Sequence, residues 1–537
     1  MKTFASRIVA FFTGLVSTRH MVKPELQRGE ITPTREAYKI SLAIAIPAVI
    51  EMVSLALMEM INAIMVGGLG TEAFAAVNIT SQPRMVFFAV FFALNVSVTA
   101  IISRAKGAGE EENARSALRH ALLLVLILGV LMTVLSVLFA RPMMRLAGAQ
   151  YDTIDLASSF FRIAAIGMTF QMATGTICAA QRATGNTRIT LKVSVTAKIV
   201  QIVTNLLLIG DQIFPDRERI DRAVVEYIPD IGDTIVDANT YEAVYEATSS
   251  VMERMGVLAN NAIYEIIEFA RRVAGYFPDL GVDGAAVSIV VVGIVGFILA
   301  GASLLQRNSF LRLRKTDDWR PNREMLRTIG RVSSGSMVEQ VGLRIGFFLY
   351  ARVVAGLGTD QFAAHSITMQ LMNLSFTFAE GIGAATTALV GQNLGKNRPD
   401  LSIMYGKLGM RLAFAAAAFL SITAFLMRHW FPTIFSYDPY VIELATTTIL
   451  IAILVLPIQT TQVVMGGSLR GAGDVRFVAM TMFVTVGVLR PLAGFVLAYP
   501  LGLALAGAWI AIILDQGARL VMLFFRFSGG KWIREKL

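Results

Sequence analysis

Residues 51–82 read EMVSLALMEMINAIMVGGLGTEAFAAVNITSQ, and residues 339–370 read EQVGLRIGFFLYARVVAGLGTDQFAAHSITMQ. At a constant offset of 288 the two stretches share Glu51/Glu339, Gly68/Gly356, Leu69/Leu357, Gly70/Gly358, Thr71/Thr359, Phe74/Phe362, Ala75/Ala363, Ala76/Ala364 and Gln82/Gln370. A match at fixed spacing is the mark of a duplicated unit. Outward from this core the same offset pairs Gly107 with Gly395, Gln171 with Gln459, and residues 182–188 with 470–476. It fails late in the first half: Gly284 in LGVDGAAV matches Gly507 in LALAGAWI at an offset of 223, so the first half carries about 65 additional residues.

The duplicated unit is hydrophobic. The 537 residues are 55% apolar and 16% charged, with a mean hydropathy of +0.62. A soluble chain carries roughly 25% charge to dress its surface. Apolar blocks of about twenty residues, long enough to cross ~30 Å of hydrocarbon, recur at 40–66, 73–102, 117–139, 156–180, 191–210 and 282–305, and again at 328–355, 361–390, 408–427, 441–466, 477–499 and 504–525. The expected fold is therefore an all-α polytopic membrane protein, with twelve transmembrane helices in two pseudo-symmetric six-helix bundles. Residues 40–210 and 281–305 form the first bundle and 328–525 the second. Parallel halves of this kind are a known transporter plan, with the substrate path between them.

Charge orients the chain. Of 48 Lys and Arg, thirty-two fall on the side of the N-terminus and nine on the other, which places both termini in the cytoplasm of a cell (plasma) membrane protein. Residues 1–39 read as a cytoplasmic amphipathic segment, 306–327 as a cytoplasmic linker and 526–537 as a tail. The insertion, 211–280, has fourteen acidic and six basic residues on the outer side and is expected to form a small helical cap. It reads either as solvated decoration or as a funnel or docking site for cations or an outer partner. The basic balance of +10 belongs to the inner loops rather than to a nucleic-acid partner.

The single Cys178 excludes an intramolecular disulfide and a cysteine-built metal site. GQNLGK at 391–396 lacks the glycine spacing and the following Ser/Thr of a phosphate loop, and no HExxH or GxSxG occurs. No enzyme activity and no cofactor beyond a coupling ion are expected, and the chain is expected to act as a monomer.

Six stretches resemble the multidrug and toxic compound extrusion (MATE) family of the MOP exporter superfamily: VGGLGTEAFAAV, VAGLGTDQFAAHSI, QRATGNTR, LRGAGDVR, LVGQNLGK and LGVDGAAV. They occur in order at symmetric places and cover about residues 40–210 and 281–525. The resemblance implies two bundles forming a V, alternating access, and export of organic cations against inward Na⁺ or H⁺. This sequence departs from the family at three places. Asn62 stands where an Asp is common in span one, Asn205 is followed by Ile209 rather than an acid four residues on, and Gln459 stands where span ten often has an acid. The coupling charge then comes from elsewhere.

Charges inside a bilayer cost about 3 kcal/mol or more, so intramembrane acids are functional candidates. They are Glu51 and Glu59 in span one, Glu339 in span seven, Glu380 in span eight and Asp515 in span twelve. At 100° per residue Glu51 and Asn62 lie roughly 20° apart on the helix wheel, and Glu59 neighbours Asn62. Span one therefore presents a polar face on which a coupling Na⁺ is expected near Glu51, Glu59 and Asn62, or on which a carboxyl holds a proton that arriving cargo displaces. Among the spans' basic residues, Arg519 is four from Asp515 and suits a same-helix pair. Arg84 is a partner for Glu51 or Glu59, and Glu339 has no well-placed partner on its own helix. Asn205, Gln171 and Gln459 are cavity candidates or helix–helix hydrogen bonds, and Pro47 and Pro457 are hinge candidates. The expected function is a secondary antiporter exporting amphiphilic or cationic small molecules. The alternatives are a flippase for lipid-linked polar cargo, or a sensor or adaptor that uses the outer insertion.

Overall fold

The computed structural model describes residues 17–534 apart from 68, 70, 148, 150, 152, 210–279, 307–308, 315–316 and 437. The expected outer cap thus lies outside the described residues, as does the start of the N-terminal segment. The first six long helices are α1 (Thr34–Gly67), α2 (Thr71–Ala108), α3 (Glu111–Leu146), α4 (Ile154–Ala183), α5 (Thr187–Leu208) and α6 (Gly281–Leu305). The second six are α7 (Arg323–Ala355), α8 (Thr359–Gly395), α9 (Pro399–Leu426), α10 (Pro439–Ala472), α11 (Val475–Met482, continued through Phe483–Leu489 and Arg490–Ala498) and α12 (Ala504–Ser528). No strand occurs among the described residues.

Duplication in sequence becomes duplication in packing. In the first lobe α4 is the hub, touching α2, α3 and α6, while α5 touches α1 and α6. In the second lobe α10 touches α8, α9 and α12, and α11 touches α7 and α12. Each contact recurs between the equivalent helices. Ten of these helices are long and apolar enough to cross a membrane by composition, and α7 and α8 are not among them. These two carry Glu339, Arg344, Arg352 and Glu380, and both face the other lobe: α7 packs on α2, and α8 packs on α1 and α2. The least lipid-like helices lie at the junction.

The junction is tied most closely at the end that holds the linker, and farther along α7 Arg344 Nη1 lies 3.1 Å from Met85 Sδ of α2. At the linker end Ser97 Oγ lies 2.7 Å from Ser333 Oγ, and Gln392 Nε2 donates to the Ala183 carbonyl at 2.8 Å. Glycine allows the closest approach: a Cβ on Gly107 would lie 1.8 Å from the Gln392 carbonyl oxygen, and one on Gly391 would lie 2.0 Å from Ser103 Oγ. Such contacts let helix backbones touch where no hydrophobic drive exists between them.

The α-helices start earlier than the hydropathic blocks, because the polar first turns (Arg35, Glu36 and Lys39 in α1, Arg323 and Glu324 in α7) continue the same helix. Residues 17–33 are not an amphipathic helix. They make two 3₁₀ turns, Arg19–Met21 and Pro24–Leu26, in a stretch that Pro24, Gly29 and Pro33 keep from helical continuation. This strap lies on the second lobe although it leads into the first. Lys407 Nζ and Arg411 Nη1 donate to the Met21 and Ser17 carbonyls at 2.7 and 3.2 Å. Arg398 bridges Asp400 and the Glu30 carbonyl, and Met21 and Val22 are buried among Leu389, Met404, Tyr405 and Leu408.

Pro47 and Pro457 sit inside unbroken helices. The irregularities fall elsewhere. Phe139 departs from helical angles three residues before Pro142 (φ −110°, ψ 17°), and α11 has a π-helical stretch at Phe483–Leu489 just before Pro491. Proline removes a donor and crowds the carbonyl four residues back, and the wider turn accommodates both.

Candidate functional site

Two ion pairs related by the duplication sit where the lobes approach. Arg182 Nη1 reaches Glu51 Oε1 at 2.9 Å, and Arg470 Nη2 pairs with Glu339. Both arginines lie 131 positions after their glutamate, in the last turns of α4 and α10. Both carboxylates are buried, at 1% and 3% exposure. Glu339 is therefore not free of partners: its charge is met from another helix, by a residue that the hydropathy pattern places in the loop beyond the span. The shared offset marks both arginines as parts of the duplicated unit but does not say which group they meet.

The pairs differ in support. Glu51 also accepts from Thr190 Oγ1 and Ser194 Oγ on α5, each at 2.7 Å. The equivalent positions on α11 are Val478 and Met482, which offer nothing. Further along α1 and α5, Lys198 pairs with Glu59 and donates to Gln201 Oε1, and Asn205 Nδ2 donates to Asn62 Oδ1 at 2.6 Å. The polar face of α1 is thus a ladder to the parallel helix α5. Glu51, Glu59 and Asn62 are each engaged by a different partner on it, rather than converging on one shared ion position. Neither glutamate forms an ion pair with Arg84, whose guanidinium lies 5.9 Å from the Phe160 ring.

Among the described residues Gln171 makes only a long contact to the Ile289 carbonyl, at 3.5 Å. Gln459 is buried with its Oε1 unpartnered among the described residues. Asp515 pairs with Arg519 as the spacing predicts, at 2.6 Å, and additionally accepts from Arg490 Nε at 2.8 Å. This three-way bridge is sealed in the second lobe, with Arg490 also lying over Phe347 and Tyr350.

Glu380 is different. It is exposed, and it forms no ion pair or hydrogen bond among the described residues. It terminates a stripe on α8, Ser366, Gln370, Asn373, Thr377 and Glu380, whose spacing of three and four puts these polar groups on one face. From Gly381 onward the helix is buried against the other lobe, and a Cβ at Gly381 would strike the backbone of Val49 at 2.7 Å. The carboxylate is therefore the last exposed group of this polar face, one residue before the helix becomes buried at the seal. Arg182 of the first lobe and Arg470 of the second both act on it electrostatically. Its counterpart in the first lobe is Phe92, so the duplication supplies this acid once. No cluster of three or more His, Cys, Asp or Glu suited to a metal occurs among the described residues.

The model of the MatE family matches residues 47–207 and 336–496, the two repeats. A relative described as "Probable multidrug resistance protein NorM", from Thermotoga maritima, is 24% identical over 93% of each chain. "Multidrug resistance protein MdtK" of Photorhabdus laumondii is 27% identical over 52% of this chain and 61% of its own. Among solved structures, an outward-facing multidrug resistance MATE family transporter of the MOP superfamily superposes with a TM-score of 0.74 at 19% identity, covering 94% of this chain and 98% of that one. A MOP superfamily transporter from Pyrococcus furiosus, described as having a binding pocket of reverse polarity, gives 0.74 at 19% identity, with 93% and 97% covered.

Proposed function

This chain belongs to the MATE family of membrane transporters, and from that premise we propose that it is a secondary active antiporter. It exports amphiphilic, cationic small molecules in exchange for Na⁺ or H⁺ by alternating access of its two lobes. The names of its relatives support multidrug efflux as the activity. The distribution of Lys and Arg supports a plasma-membrane orientation with the linker in the cytoplasm, so the closed seam is the cytoplasmic one and the exposed polar face of α8 opens outward.

One observation carries the mechanism: Glu380 is an intramembrane carboxylate with no ion pair or hydrogen bond among the described residues, and an arginine of each lobe, Arg182 and Arg470, acts on its charge. As an anion it attracts both Arg182 and Arg470 and so holds the seam beneath it shut. Binding of H⁺ or Na⁺ from the outer side cancels that charge, weakens the cross-lobe attraction and favours opening toward the cytoplasm. There the ion leaves, and a cargo cation takes its place beside the recovered carboxylate. Competition of ion and cargo for one carboxylate yields exchange rather than co-transport. Glu51 and Glu339 serve as the fixed charges that keep the two arginines in place.

A flippase for anionic lipid-linked cargo needs several guanidinium groups facing the passage between the lobes. Here Arg490 and Arg519 are buried around Asp515, and Arg182 and Arg470 are engaged by glutamates; Arg344, exposed on α7 against Met85 of the other lobe, is left for such cargo, and this balance favours the antiporter. The test is ethidium transport in proteoliposomes under imposed Na⁺ or H⁺ gradients. Glu380→Gln is expected to lose gradient-driven accumulation and to bind ethidium more weakly while remaining monodisperse in detergent; accumulation equal to the parent protein's would refute the assignment.

A further inference from the structure

The α7–α11 face holds a feature that the transport reading does not use. Val338, Val341, Ile345 and Phe348 are exposed at spacings of three and four, so the middle of α7, bordered by Arg344 on the side of the first lobe, carries an apolar stripe turned away from its contacts with the second lobe. In a membrane-spanning helix that is the lipid side. Four residues past Phe348 the stripe ends on Arg352, exposed in the last turn of α7, with a guanidinium that has no partner among the described residues.

Beside it the outer sides of the two helices form a groove. The helices touch at Gly346, where a Cβ would lie 2.1 Å from the Val486 carbonyl oxygen, and again at Gly494, where one would lie 3.1 Å from the Tyr350 ring. Along the outside of these contacts runs a groove of about 590 Å³ that begins at Gly487 and Val488, is walled by Leu349, Val353, Leu492 and Phe495, and has Arg352 on its lining. Tyr499 closes its far end by donating its hydroxyl to the Val353 carbonyl at 3.0 Å. From Gly487 to Tyr499 the helix rises about 18 Å, close to the ~15 Å depth of a single leaflet's hydrocarbon. Arg352 stands at the headgroup end of that depth.

We propose that this groove binds one phospholipid of the leaflet away from the linker, with an acyl chain along α11 and its phosphate on Arg352. The apolar walls fit a chain, the length fits a leaflet, and the lone cation fits an anionic headgroup. A guanidinium makes charge-assisted, bidentate bonds to phosphate that a hydrated ammonium does not match. The proposal requires only that the chain spans the membrane.

Native mass spectrometry of the detergent-purified full chain tests it, with phosphatidylglycerol and a diacylglycerol of the same acyl chains as probes. The parent protein is expected to retain one phosphatidylglycerol in preference to diacylglycerol. Arg352→Gln should weaken phosphatidylglycerol binding by about tenfold, the order for one lost charge-assisted bond, and abolish the preference. Leu492→Trp, an apolar exchange on an exposed wall, should weaken both lipids by filling the groove. Equal retention of the two lipids by the parent protein, or an undiminished preference in Arg352→Gln, would overturn the proposal and leave Arg352 as a charge reaching interfacial water.

Discussion

Glu51 and Glu339 are equivalent in the duplication, and each is bridged to an equivalent arginine, yet Glu51 accepts two further hydrogen bonds and Glu339 none from the matching positions. The first pair is a saturated network; the second rests on Arg470. Removing one partner of a buried pair costs about 3–5 kcal/mol because the other charge is stranded. Arg470→Gln should therefore lower thermal stability in detergent more than Arg182→Gln, where Thr190 and Ser194 still serve Glu51. Adding Glu339→Gln to Arg470→Gln should recover part of the loss. Equal losses in the two single variants would mean that the hydroxyls contribute nothing.

The Asp515 bridge gives a second contrast. Asp515→Asn leaves Arg490 and Arg519 buried beside each other with no counter-charge, whereas Arg519→Met leaves the Arg490–Asp515 pair neutral. Burying like charges is the more costly outcome. Monodisperse yield by size-exclusion chromatography should fall steeply for Asp515→Asn and little for Arg519→Met. The reverse order would mean that Asp515 is not the group holding the two guanidiniums.

Much of this was legible in the sequence. The helices and the duplication were readable because hydropathy and a constant offset are local or periodic signals. Within the site, Asp515 with Arg519 was readable because four residues on one helix share a face. The Glu51–Arg182 and Glu339–Arg470 pairs were not, because they join helices 131 residues apart and because an arginine at a helix end reads as loop. Its long side chain reaches back into the span. Glu380 was visible as an intramembrane acid, but nothing in the one-dimensional pattern placed it at the seal between the lobes.

If the seam must part during transport, fixing it must stop transport. Ser97 and Ser333 bring their Oγ atoms to 2.7 Å across the lobes, near enough for a disulfide once both are cysteine. The single native Cys178 is buried and does not compete. Ser97→Cys/Ser333→Cys should transport ethidium when reduced, stop when oxidised, and recover on adding dithiothreitol. Undiminished transport by the fully cross-linked protein would show that this seam stays closed throughout the cycle.

The exchange of ion for cargo at Glu380 is measured most directly by release. Adding ethidium to the purified protein in weakly buffered detergent solution should expel a proton, read by a pH indicator, or displace bound ²²Na⁺. Glu51→Gln should still show the release and Glu380→Gln should not. Release of the same size from Glu380→Gln, or none from a parent protein whose transport is gradient-driven, would contradict the account.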